Sequence, residues 1–136
     1  MILSAQTHLL DSRPQLSTVS TLPGGAAYHQ ATELAPNMPK REFLPPSAET
    51  LFLFRPADAS YSYAEMVHPT DFGGACLERR GTDVLRLTSQ LFHERLEKGV
   101  IRRSRIRGVF LPREGDLAAA TSLYRDFVAE PLPLTT

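Results

Sequence analysis

The pattern of apolar and polar positions changes character near residue 48. Beyond it, the run Glu49-Thr50-Leu51-Phe52-Leu53-Phe54-Arg55 puts apolar residues on both parities and ends at Pro56, which predicts a strand buried on both faces. Tyr61 to Val67 then alternates. Tyr61, Tyr63, Glu65 and Val67 share one face while Ser62, Ala64 and Met66 share the other, and the aromatic and β-branched content favours a strand. His68-Pro69-Thr70-Asp71 breaks that run, and Gly73-Gly74 marks a loop. Ala75 to Arg80 reads as a third strand, closed by Gly81-Thr82-Asp83.

Two patterns compete over residues 83–98. With a helical period, Val84, Leu87 and Leu91 form one stripe beside Leu85, Phe92 and Leu96. Asp83 suits the N-cap, Gly99 the left-handed C′ position, and Glu94 lies four residues before Lys98. With a period of two, Leu85, Leu87 and Leu91 share a face and Glu97-Lys98-Gly99 turns a hairpin. The caps favour the helix.

Val100 to Leu111 reads as a long strand. Ile101, Arg103, Arg105, Arg107, Val109 and Leu111 point one way, with Val100, Arg102, Ser104, Ile106, Gly108 and Phe110 the other. Neither face is apolar in its middle, so an edge or solvated position is expected. Asp116 then caps a helix over 117–129. Leu117, Ala120, Leu123, Tyr124 and Phe127 lie on one side, and Pro131 and Pro133 forbid continuation.

Upstream of residue 47, apolar residues keep neither period, and six of the eleven prolines fall there among many serines and threonines. The expected division is therefore a flexible or extended N-terminal segment, 1–47, and one folded domain, 48–136. The expected fold class is α+β: a small antiparallel sheet of about four strands, covered by the C-terminal helix and by a second helix over 83–98.

Composition narrows the setting. Cys76 is the only cysteine, so no intramolecular disulfide forms and a reducing compartment is the default. Met1-Ile2-Leu3 is followed by polar residues with no preceding base, unlike a secretory signal, and no stretch nears the ~20 apolar residues of a membrane span. The expectation is a cytoplasmic protein with no membrane association.

Net charge is zero, but residues 79–113 carry ten bases against three acids, a net of +7. Arg103, Arg105 and Arg107, about 6–7 Å apart on one strand face, repel one another. Carboxylates within the fold, Glu65 or Glu78 for example, could offset that. An external anion could do so equally. These three arginines are the anion-binding candidates, with an acidic protein surface or a phosphate-bearing ligand, nucleic acid included, as partner.

Other chemistry has weaker support. Glu65, His68 and Asp71, with His93-Glu94, supply ligand-type residues, but positions three apart on a strand face opposite ways, so no metal is expected. His68 and Asp71 are the catalytic candidates, with His68 as acid–base. Cys76 beside small residues reads as buried. Tyr61 and Tyr63 share a face, a stacking platform or simply core. No phosphate loop or nucleophile elbow is present, and no cofactor is expected. The leading reading is a non-enzymatic interaction module with an arginine-rich strand. The alternative is a small enzyme, or enzyme subunit, working at the Glu65–Asp71 turn.

Overall fold

The structure, a computed structural model, describes residues 1–8, 10–13, 15–29, 32–33, 41–46, 49–81, 84–92 and 95–131. Its strands are β1 (Ile2–Gln6), β2 (Asp11–Ser12), β3 (Ser17–Pro23), β4 (Gly25–His29), β5 (Thr32–Glu33), β6 (Arg41–Leu44), β7 (Leu51–Pro56), β8 (Tyr61–Val67), β9 (Gly74–Arg80), β10 (Val84–Gln90), β11 (Leu96–Glu97) and β12 (Ile101–Pro112). One helix follows, α1 (Asp116–Ala129). The strands form a six-stranded sheet, β1-β12-β8-β7-β4-β5, a four-stranded sheet, β3-β10-β9-β6, and a two-stranded ribbon, β11-β2.

The α+β expectation of about four strands and two helices is corrected by this arrangement. The protein is mostly β, with 57% of it in strands, three antiparallel sheets and α1 as the single helix among the described residues. Residues 84–90, expected within a second helix, are β10. Leu85, Leu87 and Ser89 are buried facing the six-stranded sheet, while Val84, Arg86 and Thr88 face outward. Pairing on both sides, with β3 and β9, satisfies every backbone group that a helix would have satisfied internally. Asp83, the expected cap, lies outside the described residues, as does Glu94. Gly99 adopts a positive φ of 82° in the turn between β11 and β12 rather than ending a helix.

Strands from the N-terminal segment account for the rest of the difference. β1 pairs with β12, β3 with β10, β4 with β7 and β6 with β9. Their alternation was invisible in hydropathy because β3 turns Thr18, Ser20 and Leu22 inward, a mostly polar row. β7 lies between β4 and β8 and buries Leu51 to Phe54 on both faces, as its apolar run implies.

Two cores result. Phe52, Phe54, Val67 and Ile106 meet Leu77, Leu85 and Leu87 between the two main sheets. On the opposite face of the six-stranded sheet, Leu51, Leu53, Ala64, Met66 and Leu111 meet Ala120 and Phe127 of α1. α1 is locked at its start by Asp116, whose carboxylate takes both Nε and Nη2 of Arg55, at 2.8 and 2.6 Å, and the hydroxyl of Ser62. No described helix is long and apolar enough to cross a membrane.

Candidate functional site

The three strand arginines do point to one side of β12, the side that α1 partly covers, but they do not form a common row toward solvent. Arg105 is buried. Its Nε donates to Asp71 Oδ2 at 3.1 Å, its amide donates to the same oxygen at 2.9 Å, and Nη2 reaches Thr70 Oγ1 at 3.2 Å. Arg107 lies over the Phe127 ring, 4.8 Å from its centre, and donates to both carboxylate oxygens of Glu130 at 2.6 and 2.8 Å. Arg103 is partnered too. The offsetting carboxylates are Asp71 and Glu130, not Glu65 or Glu78. Glu65 is on the opposite face of the sheet, in register with Gly108.

His68 and Asp71 act together as a clamp. Residues Pro69–Asp71 form one 3-10 turn, and the His68 ring meets Thr70 through Nδ1 and the Val128 carbonyl through Nε2, at 2.8 and 3.2 Å. The ring also stands edge-on to Phe127. The turn thus ties β8, β12 and α1 together, and its polar atoms are committed to that task. Glu65 and His68 face opposite sides of β8, as strand geometry requires. His93, the other candidate partner, lies outside the described residues. Among the described residues no three His, Cys, Asp or Glu side chains are grouped to hold a metal.

A different cationic surface exists on the outward face of the four-stranded sheet. Arg41 of β6, Glu78 and Arg80 of β9 and Arg86 of β10 all face away from the core, Glu78 lying across from both Arg41 and Arg86. Glu78 accepts from Arg41 at 3.3 Å and from Arg80 at 3.2 Å. Partial burial pushes the Glu78 carboxyl up, and Arg80 and Arg41 together outweigh it, holding the group below its usual range. Arg86 adds a third guanidinium, and its buried Nε has no hydrogen-bond partner among the described residues. Phe43, strongly exposed, stands beside them with the Arg41 guanidinium 6.0 Å above its ring. Cys76 lies across from Phe43 on this face, half-buried, its thiol pushed up by burial, so it is not a poised nucleophile.

Two guanidiniums paired to one carboxylate, a third on the neighbouring strand and an exposed ring at the margin form a face suited to anions. The signal was present in sequence. Reading 76–80 and 84–88 both as strands puts Glu78, Arg80 and Arg86 on one side, but the helical reading of 83–98 hid it.

No family model, curated protein or solved structure matches this chain. The functional reading rests on the geometry alone.

Tyr61 and Tyr63 share the inner face with Phe110. Tyr63 and Phe110 lie 5.2 Å apart, and Phe110 meets Tyr61 edge-on at 5.5 Å. Tyr61 and Phe110 are exposed while Tyr63 reaches inward to Glu65. The pair is therefore part core and part surface.

Proposed function

We propose that the protein is a non-enzymatic interaction module that meets an acidic segment of another protein on the open face of its four-stranded sheet. The observation that carries this is the imbalance of charge there among the described residues: Arg41, Arg80 and Arg86 against Glu78. Like charges so arranged favour an incoming carboxylate, which relieves their repulsion and can be gripped in two-pronged fashion by a guanidinium. Phe43 beside Arg41 adds apolar contact area of the kind that anchors protein interfaces.

An acidic protein is favoured over a small phosphate ligand because the face is open and its donors are side chains. The start of α1, the other natural anion site, is filled by its own Asp116, which accepts the Leu117 amide at 2.7 Å. The enzymatic alternative draws no support from His68 and Asp71, whose polar atoms serve the clamp between β8, β12 and α1.

The test is retention of the full chain on a polyglutamate resin and, in parallel, on heparin, at two salt concentrations. Arg41→Gln combined with Arg86→Gln should reduce retention on polyglutamate and flatten its salt dependence, with the melting curve nearly unchanged because exposed pairs contribute ~0–1 kcal/mol. Arg125→Gln, on the exposed side of α1, serves as the control. Unchanged retention of the double variant would sink the reading. Preferential loss on heparin would point to phosphate or sulfate groups instead.

A further inference from the structure

The inner row of β8 contains a charged residue where core is expected. Glu65 is 2% exposed and faces the gap between the two main sheets. Its Oε2 accepts from the Ser20 hydroxyl of β3 and from the Tyr63 phenol at 3.2 Å. Its Oε1 has no protein partner among the described residues, and neither does the Thr18 hydroxyl, which faces Ser89 of β10 across the same inner row. Buried polar atoms without partners are rare in native folds, and two together ask for an explanation. They adjoin a cleft. Met1, Thr18, Ser20, Tyr63, Glu65, Ile106 and Gly108 line an opening of about 490 Å³ between β3 and the β8–β12 pair, the Met1 ammonium donating to the Ile106 carbonyl at 2.8 Å rather than pairing with Glu65. That is within the range of small-ligand pockets.

Gly108 helps to shape it. It sits across from Glu65 in register, and a Cβ there would come within 2.5 Å of the Tyr63 hydroxyl. The missing side chain is what lets the phenol lean over β12 and reach Glu65. Burial pushes the Glu65 carboxyl up against the opposing pull of Ser20, Tyr63 and Ser89, and it pushes the Tyr63 phenol up to about 12.

We propose that this cleft binds a small organic cation carrying N–H donors, an alkylammonium group in the first instance, with Glu65 as counter-ion. The chemistry of the lining selects that class. A buried carboxylate left without a cation is costly, and a cation brought to it restores what desolvation removed. An ammonium offers three donors and no acceptor, matching the unpartnered Oε1 of Glu65 and the Thr18 hydroxyl oxygen. The Ile106 side chain and the Tyr63 ring give its alkyl stem an apolar wall. An anion would meet a carboxylate, and a neutral alcohol would leave the charge uncompensated. The site lies on the inner side of the four-stranded sheet, away from the arginine face, so either proposal can fail alone.

The experiment is an NMR titration of the full chain at pH 8 with n-butylammonium, and with n-butanol and butyrate as matched neutral and anionic probes. n-Butylammonium should saturate, moving resonances of Thr18, Ser20, Tyr63, Ile106 and Gly108, while butyrate produces no saturating change. Glu65→Gln keeps the shape and the Ser20 bond while removing the charge, and should weaken n-butylammonium binding by at least about tenfold. Gly108→Ala, which displaces the Tyr63 phenol, should weaken it as well. Tyr63→Phe offers a gentler change to the same wall should the alanine variant not fold. Equal binding of n-butanol and n-butylammonium, undiminished binding to Glu65→Gln, or shifts confined to residues outside the cleft would each overturn the proposal.

Discussion

Two buried carboxylates show how differently one fold treats the same group. Asp116 is held down to a pKa of about 2, first by the Arg55 hydrogen bonds and then, against its own burial, by Ser62. Its folded value lies below the ordinary 3.8, so its contribution is complete above about pH 4 and is lost as pH falls through about 2. That is worth roughly 2 kcal/mol, and acid titration of the melting temperature should show it in the wild type and not in Asp116→Asn. At neutral pH the Asn variant should cost about 3–5 kcal/mol, since Arg55 is left without its counter-ion. Glu65 behaves in the opposite sense. Its folded pKa is raised, so the folded state holds a proton that the unfolded chain releases, and stability falls as pH rises from the ordinary carboxylate value toward the raised one. Glu65→Gln should therefore melt higher than wild type at pH 7, and a thermal melt across pH checks the sign. Asp116 was legible in sequence as the residue opening a helix. Its partner was not, because nothing in the local pattern links it to Arg55, sixty-one residues earlier.

At the level of elements, legibility followed how much of the signal was local. β7, β8 and α1 carry their periods in their own residues and lie within a residue or two of their expected bounds. β10 does not, because its leucines satisfy both periods and only pairing on both sides decides between them. For want of a clean apolar face, β12 is expected to lie partly at an edge or on a solvated face. It lies between β1 and β8 in sheet order, but β1 pairs with Ile101–Arg105 and β8 with Ile106–Pro112, so each half is paired along one side, and its polar middle is made acceptable by Asp71 and Glu130. For α1 the packing yields graded expectations. Phe127→Ala should cost about 3–5 kcal/mol, because the ring is buried against the six-stranded sheet and also carries His68 and Arg107 on its faces. Leu123→Ala, half-buried, should cost about 1–2 kcal/mol, and Arg125→Ala less than about 0.5 kcal/mol. Denaturant titration of the three separates them, and equal effects would mean that α1 is not seated as described.

For the whole molecule, the question is how residues 1–47 relate to the remainder. Ser20 of β3 reaches Glu65, and the Tyr28 hydroxyl of β4 accepts from Arg55 at 2.8 Å, so the segment contributes to both cores. Limited proteolysis is expected to leave a resistant fragment that keeps residues 17–29. A resistant fragment beginning between 40 and 50 would instead identify the segment as a separable tail. The same arrangement governs how the chain reaches its fold. The Ile106 amide donates to the Met1 carbonyl at 3.0 Å, the Met1 amino group donates back to the Ile106 carbonyl across a separation of 105 residues, and β3 waits for β10. Contacts so remote in sequence close the longest loops and are made late, which places refolding in the millisecond-to-second regime of high-contact-order β proteins. During synthesis, β1 and β3 leave the ribosome long before their partners exist. For that interval they are bare strand edges, and Ser17, Thr18, Ser20 and Thr21 keep the edge of β3 hydrated until β10 arrives.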